Sequence, residues 1–346
     1  MLRSLYSGIT GMRVNQTKLD VIGNNLANVS TTAFKGSRVT FSTTISQTLT
    51  SASAASDSLG GKNGQQIGLG AQIASIDKVM SQGSMQSTSR ALDVAIDGTG
   101  YFMVASGPAL HGQPGFSIDV DTNSNQTINN DNTSVAYTRD GSFVLDNEGN
   151  LLTTSGYRVL GYAIEDPNAG NNAVNGSNFN DDGTLTYVES KNDTKAKDDK
   201  LVTLKIPDSV YKVDAQGNKT KVAVKSFNIS SDGLITGVLE TGEIAALGQM
   251  AMASFKNEVG LTEVGNNMYQ ASGSSGTALI SGGKNGATGR DSKGYGDMLQ
   301  GYLEMSGVDM AEQFTDMIVA TKAFQAAGKT ITTGDEILSE IINLKR

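Results

Sequence analysis

The sequence predicts an α+β protein, mainly β. Coiled-coil-like helices from both chain ends accompany two tandem β-rich domains, the outer one inserted into the inner one. Three observations carry this expectation. Apolar residues alternate at spacings of three and four at both ends, from Leu2 to Leu26 and from Met310 to Ile342. Between them lie short apolar runs punctuated by Asp-Gly pairs, the pattern of antiparallel strands and turns. The character of the chain changes at about Gly156 and returns at about Phe227.

Taken in order, the first segment is a helix over about 1–28. Leu2, Leu5, Ile9, Met12, Gln16, Leu19, Gly23 and Leu26 form a heptad seam whose weak positions are Gln16 and Gly23. The cluster Gly23-Asn24-Asn25 and Asn28 weakens the helix, because Asn competes for backbone hydrogen bonds and tolerates left-handed conformations. Phe34 beside Lys35 then offers an apolar anchor next to a charge. Residues 1–41 and 305–346 are expected as one terminal helical domain, and 42–70 and 272–304, rich in Gly and Ser, as linkers.

An inner β-domain is expected from 71–155 and 227–271. Within it, Leu92–Val104 reads as two strands around Asp97-Gly98, and Tyr137–Leu145 repeats the design around Asp140-Gly141. Glu148-Gly149-Asn150 and Asp232-Gly233 mark further turns. Gln249–Phe255 reads as one strand. Residues 156–226 are expected as the inserted outer β-domain, with 191–200 a mixed-charge solvated loop. The last segment is a helix from Met310 to about Leu344. Its seam is Met310, Phe314, Met317, Thr321, Phe324, Gly328, Ile331, Asp335, Leu338 and Ile342, with Asp309 as its cap and Lys345 and Arg346 facing its C-terminal dipole.

Composition narrows the function. The 346 residues include 41 Gly, 4 Pro and no Cys, with a formal net charge of -8. Lack of Cys excludes disulfides, thiol catalysis and thiolate metal sites. The acidic balance argues against nucleic acid as the main partner, since phosphate binding needs a basic surface. No apolar run approaches the ~18 residues of a membrane span, so no membrane insertion is expected. The N-terminal MLRSLYSGITGMRVNQ has no continuous apolar region and no clear cleavage site, so it is not a Sec-type signal. The one histidine, His111, sits in a Gly/Pro loop. Asp119, Asp121, Asn123 and Asn125 alternate like half a calcium loop, but Ser124 and Asn130 stand where Gly and Glu are required. No nucleophile–base pair, metal cluster or phosphate loop appears. The expectation is no catalysis, no metal and no cofactor.

LDVIGNNLANVSTTAFK, residues 19–35, closely resembles the N-terminal signature of bacterial flagellar rod and hook proteins. Residues 299–346 resemble the C-terminal helix region of the same family, and LDVAIDGTGYFMV, residues 92–104, resembles the family's β-domain. One departure is Gly23, where many relatives have Ala before the paired Asn. The resemblance implies a structural subunit that self-assembles into a helical tube, with the terminal helices inside and the β-domains outside. It also implies export through the flagellar type III apparatus without a Sec signal. Within the family, the sizeable segment 156–226 points to the hook rather than the distal rod. The implied partners are copies of itself, the distal rod protein, the hook-cap protein and the hook–filament junction proteins, in the extracellular hook of the flagellum. The assembly contacts are expected at Leu5, Ile9, Met12, Leu19, Asn24, Asn25, Leu26, Asn28, Phe34, Phe314, Met317, Phe324, Ile331, Leu338 and Ile342, with the Asn amides bonding between subunits. A reading of another class, a secreted adhesin or glycan-binding protein built on the central β-domains, lacks a paired-carboxylate site.

Overall fold

The computed structural model describes residues 2–54, 60–107, 118–120, 128–129, 134–165, 178–180, 184–190, 196–213, 218–282 and 295–344. The chain forms two compact units, 1–81 with 306–346, and 82–305. It is mostly β, with 44% strand and 23% helix, the helices lying at the two termini.

The first unit contains α1 (Leu2–Ala27), β1 (Ser37–Thr43), β2 (Ser46–Thr50), β3 (Gln65–Gly68), β4 (Ala71–Lys78) and α2 (Met310–Leu344). Neither helix contains Pro, which would remove a backbone donor. Asp309 caps α2 as expected: its Oδ1 accepts from the backbone N–H of Ala311 at 2.8 Å and of Glu312 at 3.3 Å. Lys345 and Arg346 lie outside the described residues. The expected linker 42–70 is corrected. β1 pairs antiparallel with β4, from Ser37 opposite Lys78 to Thr43 opposite Ala71, and β2 pairs with β3. Thr43, Thr48, Thr50 and Ile67 fall in the strands of this Ser-rich stretch, and they supply β-propensity that low complexity hid. Gly70, at φ 125°, lets the ribbon approach α1: a Cβ there would lie 2.1 Å from Thr10 Oγ1.

The second unit is built of strands. Its first half runs β5 (Met85–Ser87), β6 (Val94–Asp97), β7 (Tyr101–Ser106), β8 (Ile118–Val120), β9 (Ile128–Asn129), β10 (Ser134–Thr138), β11 (Phe143–Leu145) and β12 (Leu151–Thr153). The next strands are β13 (Arg158–Ile164), β14 (Ala196–Thr203), β15 (Ser209–Val213), β16 (Lys219–Ile229), β17 (Leu234–Leu239) and β18 (Ile244–Met250). Then come β19 (Met252–Ser254), β20 (Thr262–Gly265), β21 (Met268–Gln270), β22 (Leu279–Ser281), β23 (Asp297–Gln300) and β24 (Tyr302–Glu304). The main sheet runs in the order β15-β16-β17-β18-β13-β7-β10-β21-β20.

That order corrects the separate outer domain expected over 156–226. β13 pairs with both β7 and β18, and β16 pairs with β17, so the segment continues the same sheet. The linker expected over 272–304 holds β22, β23 and β24, which pair with β19, β6 and β5. Residues 196–200, expected in a charged loop, belong to β14. The strand expected over Gln249–Phe255 breaks at Ala251 between β18 and β19.

Two expected hairpins are also corrected. β6 pairs with β23 rather than β7, and β10 pairs with β7 and β21 rather than β11. The residues explain this: Val94–Ile96 and Tyr101–Ala105 are buried without alternation, as in strands covered on both faces. An Asp-Gly pair there carries the chain between sheets instead of folding it back. Where the flanking strands do alternate, the turn signals hold: β16 meets β17 around Asp232-Gly233, and β11 meets β12 around Gly149.

The core gathers Phe102, Val104, Phe143, Leu151, Val159 and Leu247 with other apolar side chains. Phe102 and Phe143 meet edge-on at 5.2 Å between ring centroids. Four tyrosines are held neutral by this packing. Burial raises Tyr137 and Tyr295 to about 12. Burial, reinforced by Glu258, raises Tyr101 further still, and burial with Glu263 raises Tyr269. Below pH 10 such side chains are neutral both folded and unfolded. Above it the unfolded chain ionises first and binds fewer protons, so stability falls as pH rises toward 12. Absorbance at 295 nm should therefore show only part of the 10 tyrosines as phenolate at pH 11, the rest ionising with unfolding. Reversible titration of all of them in the folded protein by pH 11 would contradict this.

His111, Asp121, Asn123 and Asn125 lie outside the described residues. The backbone of Asp119 is in β8, opposite Lys200.

Candidate assembly interface

α1 and α2 pack antiparallel. A Cβ on Gly8 would meet Ile331 Cγ1 at 3.0 Å, Gly11 faces Ala327, and Gly334 lies against Leu5. Farther along, Lys18 Nζ lies 3.2 Å from Asp316 Oδ1, and Asn25 Nδ2 donates to Gln313 Oε1 at 3.1 Å. Ala320 and Gly334 are the buried residues of α2. The contact line thus runs through Ala320, Ala327 and Gly334, seven residues apart, and through Gly8, Gly11, Lys18 and Asn25. Small residues let the backbones approach closely. The Lys18–Asp316 pair is partly solvated, so it contributes under ~1 kcal/mol.

The heptad spacing holds in part: Leu5, Met12 and Ile331 of the expected seams enter the contact, against Gly334, Gly328 and Gly8. Leu5, Met12, Leu19, Leu26, Met317, Ile331 and Leu338 are half-buried, and Ile9 is exposed. Phe314, Phe324 and Ile342 are exposed at 49%, 37% and 66%. A two-helix contact lined with glycine and alanine has no room for them.

The amides bond within the chain. Asn25 is buried and satisfied within its own chain. Its Nδ2 donates to Ser37 O at 2.8 Å and its Oδ1 accepts from Ser37 N–H at 2.9 Å. It therefore ties the chain leaving α1 to the start of β1 and to α2. Asn28 Nδ2 donates to Asn24 O at 3.0 Å, and its Oδ1 accepts from Thr31 Oγ1 at 3.2 Å. These bonds terminate α1 by successive turns. Phe34 is buried, with Lys78 Nζ 5.4 Å from its ring centroid. Asn25 and Phe34 thus shape the subunit, and the side-chain bonds between Asn24, Asn28 and Thr31 are local.

Four charged residues are buried among the described residues, Lys35, Asp93, Arg139 and Glu304, and the sequence did not reveal their burial. Lys35 is 1% exposed and its Nζ donates to Ser81 O at 2.9 Å. In the other unit, Arg139 and Glu304 form a buried ion pair at 3.2 Å. Arg139 lies next to an Asp-Gly pair, where a charge reads as a solvated turn. No local pattern announces a partner 165 residues away.

Three family models match the chain: "Flagella basal body rod protein" over 5–35, "Flagellar hook protein FlgE/F/G D1 domain" over 126–237, and "Flagellar basal body rod FlgEFG protein C-terminal" over 299–344. The flagellar basal-body rod protein FlgG of Bacillus subtilis (strain 168) is 41% identical over 346 residues, covering 100% of both chains. The chain belongs to the flagellar rod and hook family. Another relative is the flagellar hook protein FlgE of Borreliella burgdorferi, 30% identical over 449 residues, with 100% of each chain covered. The rod protein FlgG of that organism is 31% identical over 348 residues, again with 100% of each covered. The crystal structure of Helicobacter pylori flagellar hook protein FlgE2 matches with a TM-score of 0.37 at 12% identity, covering 64% of this chain and 100% of that one. Flagellar rod and hook proteins are structural proteins that self-assemble into axial structures of the flagellum. The first and last matched regions coincide with α1 plus its Asn25 tie, and with β24 plus α2.

Proposed function

We propose that this chain is the subunit of the flagellar hook, polymerising into a curved tube that passes torque from rod to filament. The observation carrying the reading is a subunit whose helices pack through small residues and leave large apolar ones uncovered. Such surface is costly in a monomer and is removed from water on assembly. The segment 156–226 supports the hook in particular, since it extends the main sheet. The distal rod protein, hook cap and junction proteins are then its neighbours. The type III apparatus is its export route, and the extracellular hook its location.

A second reading, the distal rod subunit, is favoured by the 41% identity to the rod protein FlgG of Bacillus subtilis. Electron micrographs of purified polymer separate the two: a curved tube fits the hook and a straight one the rod. Removal of 1–28 or 310–346 should leave a soluble β protein that forms no polymer. Phe324→Asp should abolish polymer growth while leaving the unfolding transition of 82–305 unchanged, because it carries a charge into a contact that must be desolvated. Normal tubes from either variant would sink the reading.

A further inference from the structure

Between β2 and β3 the backbone of Ser53 pairs with that of Lys62, and the pair Asn63-Gly64 lies between this bridge and Gln65, the first residue of β3. Asn63 and Gly64 are exposed, as is every residue of β2 and β3, which form a two-stranded sheet. Such a ribbon opens at small cost. Among the described residues neither Asn63 nor Gly64 has a hydrogen-bond partner. The three described Asp-Gly pairs differ. Gly98 N–H donates to Gln82 Oε1 at 3.2 Å, and Gly233 N–H to Ser230 O at 2.9 Å. Asp140 Oδ1 accepts from Ser142 N–H at 3.2 Å and from Ser142 Oγ at 2.9 Å. At Asn63-Gly64 both the side-chain amide and the following backbone nitrogen are left free, and no Cβ on Gly64 screens that nitrogen. Asn175-Gly176 and Asn285-Gly286 lie outside the described residues.

We propose that Asn63-Gly64 is a self-modifying site, converting without an enzyme to aspartate and isoaspartate. The Gly64 backbone nitrogen loses its proton and attacks Asn63 Cγ. The N–Cγ bond forms, the Cγ–Nδ2 bond breaks, and the amide leaves as ammonia with that proton. A cyclic imide remains. Water opens it, at Cγ to give aspartate or at the main-chain carbonyl to give isoaspartate, whose chain then runs through Cγ. The balance is a water taken up and an ammonia released, with nothing oxidised or reduced. The nucleophile is held next to its target along the chain, so the step needs no other group. The product differs in charge and in length. A carboxylate replaces a neutral amide beside Lys62. Isoaspartate also adds a main-chain carbon between two anchored points. On one side Ser53 and Lys62 exchange backbone bonds at 3.0 and 3.1 Å, and on the other Thr50 stands opposite Gln65. The extra atom does not fit that ladder, so the Ser53–Lys62 bridge opens. The ribbon of an old subunit therefore differs from that of a new one, whether the polymer is hook or rod.

The test follows the full-length chain during incubation at neutral and at mildly alkaline pH. Peptide mapping by mass spectrometry reads the exchange of NH for O, and methyl transfer by an isoaspartate methyltransferase reads isoaspartate. Asn228, exposed but followed by Ile229, is the internal control. Asn63 should convert about tenfold faster than Asn228 or more. The rate should rise with pH, because the Gly64 nitrogen must lose its proton. Gly64→Ala should slow conversion by about tenfold, since its methyl group screens the nitrogen. A Cβ there lies 3.4 Å from Thr50 O and from Ala52 N, so alanine fits. Asn63→Gln should stop conversion, because its longer side chain would have to close a larger ring. Amide exchange at Lys62 should quicken in the aged wild-type chain and not in aged Asn63→Gln. Conversion at Asn63 no faster than at Asn228, or unchanged in Gly64→Ala, would overturn the proposal, and unaltered exchange at Lys62 would overturn the opening of the bridge.

Discussion

Glu304→Ala should lower the stability of the 82–305 unit by about 3–5 kcal/mol, the usual cost of leaving one member of a buried ion pair alone. Arg139 and Glu304 are 4% and 1% exposed in their side chains. The guanidinium also donates through Nε to Gly100 O at 2.9 Å and through Nη2 to Gly98 O. Its Cζ lies 5.5 Å from the ring centroid of Tyr101. Glu304 Oε1 accepts from the backbone N–H of Gly83 at 2.8 Å. One carboxylate therefore holds the strand that leaves the unit, the segment that enters it, and the arginine between β10 and β11. Removing it strands a cation among carbonyls that cannot neutralise it. The double variant Arg139→Met/Glu304→Leu should recover most of the loss, since two apolar groups of similar size need no counter-charge. Denaturant unfolding of the full chain, followed by the near-ultraviolet tyrosine signal, reads both. A loss below about 1 kcal/mol for Glu304→Ala would show that the pair is hydrated and contributes like a surface bridge.

Local periodicity made the helices legible. The ends of α1 and α2 fall within a residue or two of their expected positions, because heptad spacing, the absence of Pro and the Asp309 cap are all local. The phase of their packing was legible only in part, since Leu5, Met12 and Ile331 do enter the contact. Large apolar side chains mark a stripe clearly, but a close two-helix contact selects Gly8, Ala320 and Ala327, which hydropathy ranks low. Strand existence was legible where Val, Ile and aromatic residues cluster, and partner choice was not. Val94–Ile96 finds β23 some 200 residues later, and nothing beside Asp97-Gly98 encodes that. The same holds for Asn25. Its place in an amide cluster drew attention, but its partners Ser37 and Gln313 are fixed only by the fold, which turns an expected contact between subunits into an internal tie.

Gly8→Leu and Gly23→Ala should act in opposite directions within one helix. At Gly8 even a Cβ would sit 2.7 Å from Thr330 Oγ1 and 3.2 Å from Ala327 O. The Ala327 carbonyl cannot move without disturbing α2. A leucine there must push the helices apart, costing about 1–3 kcal/mol by overpacking, set against about 1 kcal/mol gained in helix propensity. Separated helices lose the Lys18–Asp316 and Asn25–Gln313 contacts, so polymer growth should stop although unit 82–305 unfolds as before. Gly23 is exposed, and a Cβ there meets nothing within 4 Å. Alanine at that position should stabilise α1 by up to about 1 kcal/mol through propensity alone, with assembly unimpaired. Thermal loss of ellipticity at 222 nm and pelleted polymer read the pair. Should both variants behave alike, the close approach at Gly8 would not govern the hairpin, and the small-residue contact would lose its role in leaving the large apolar side chains outside.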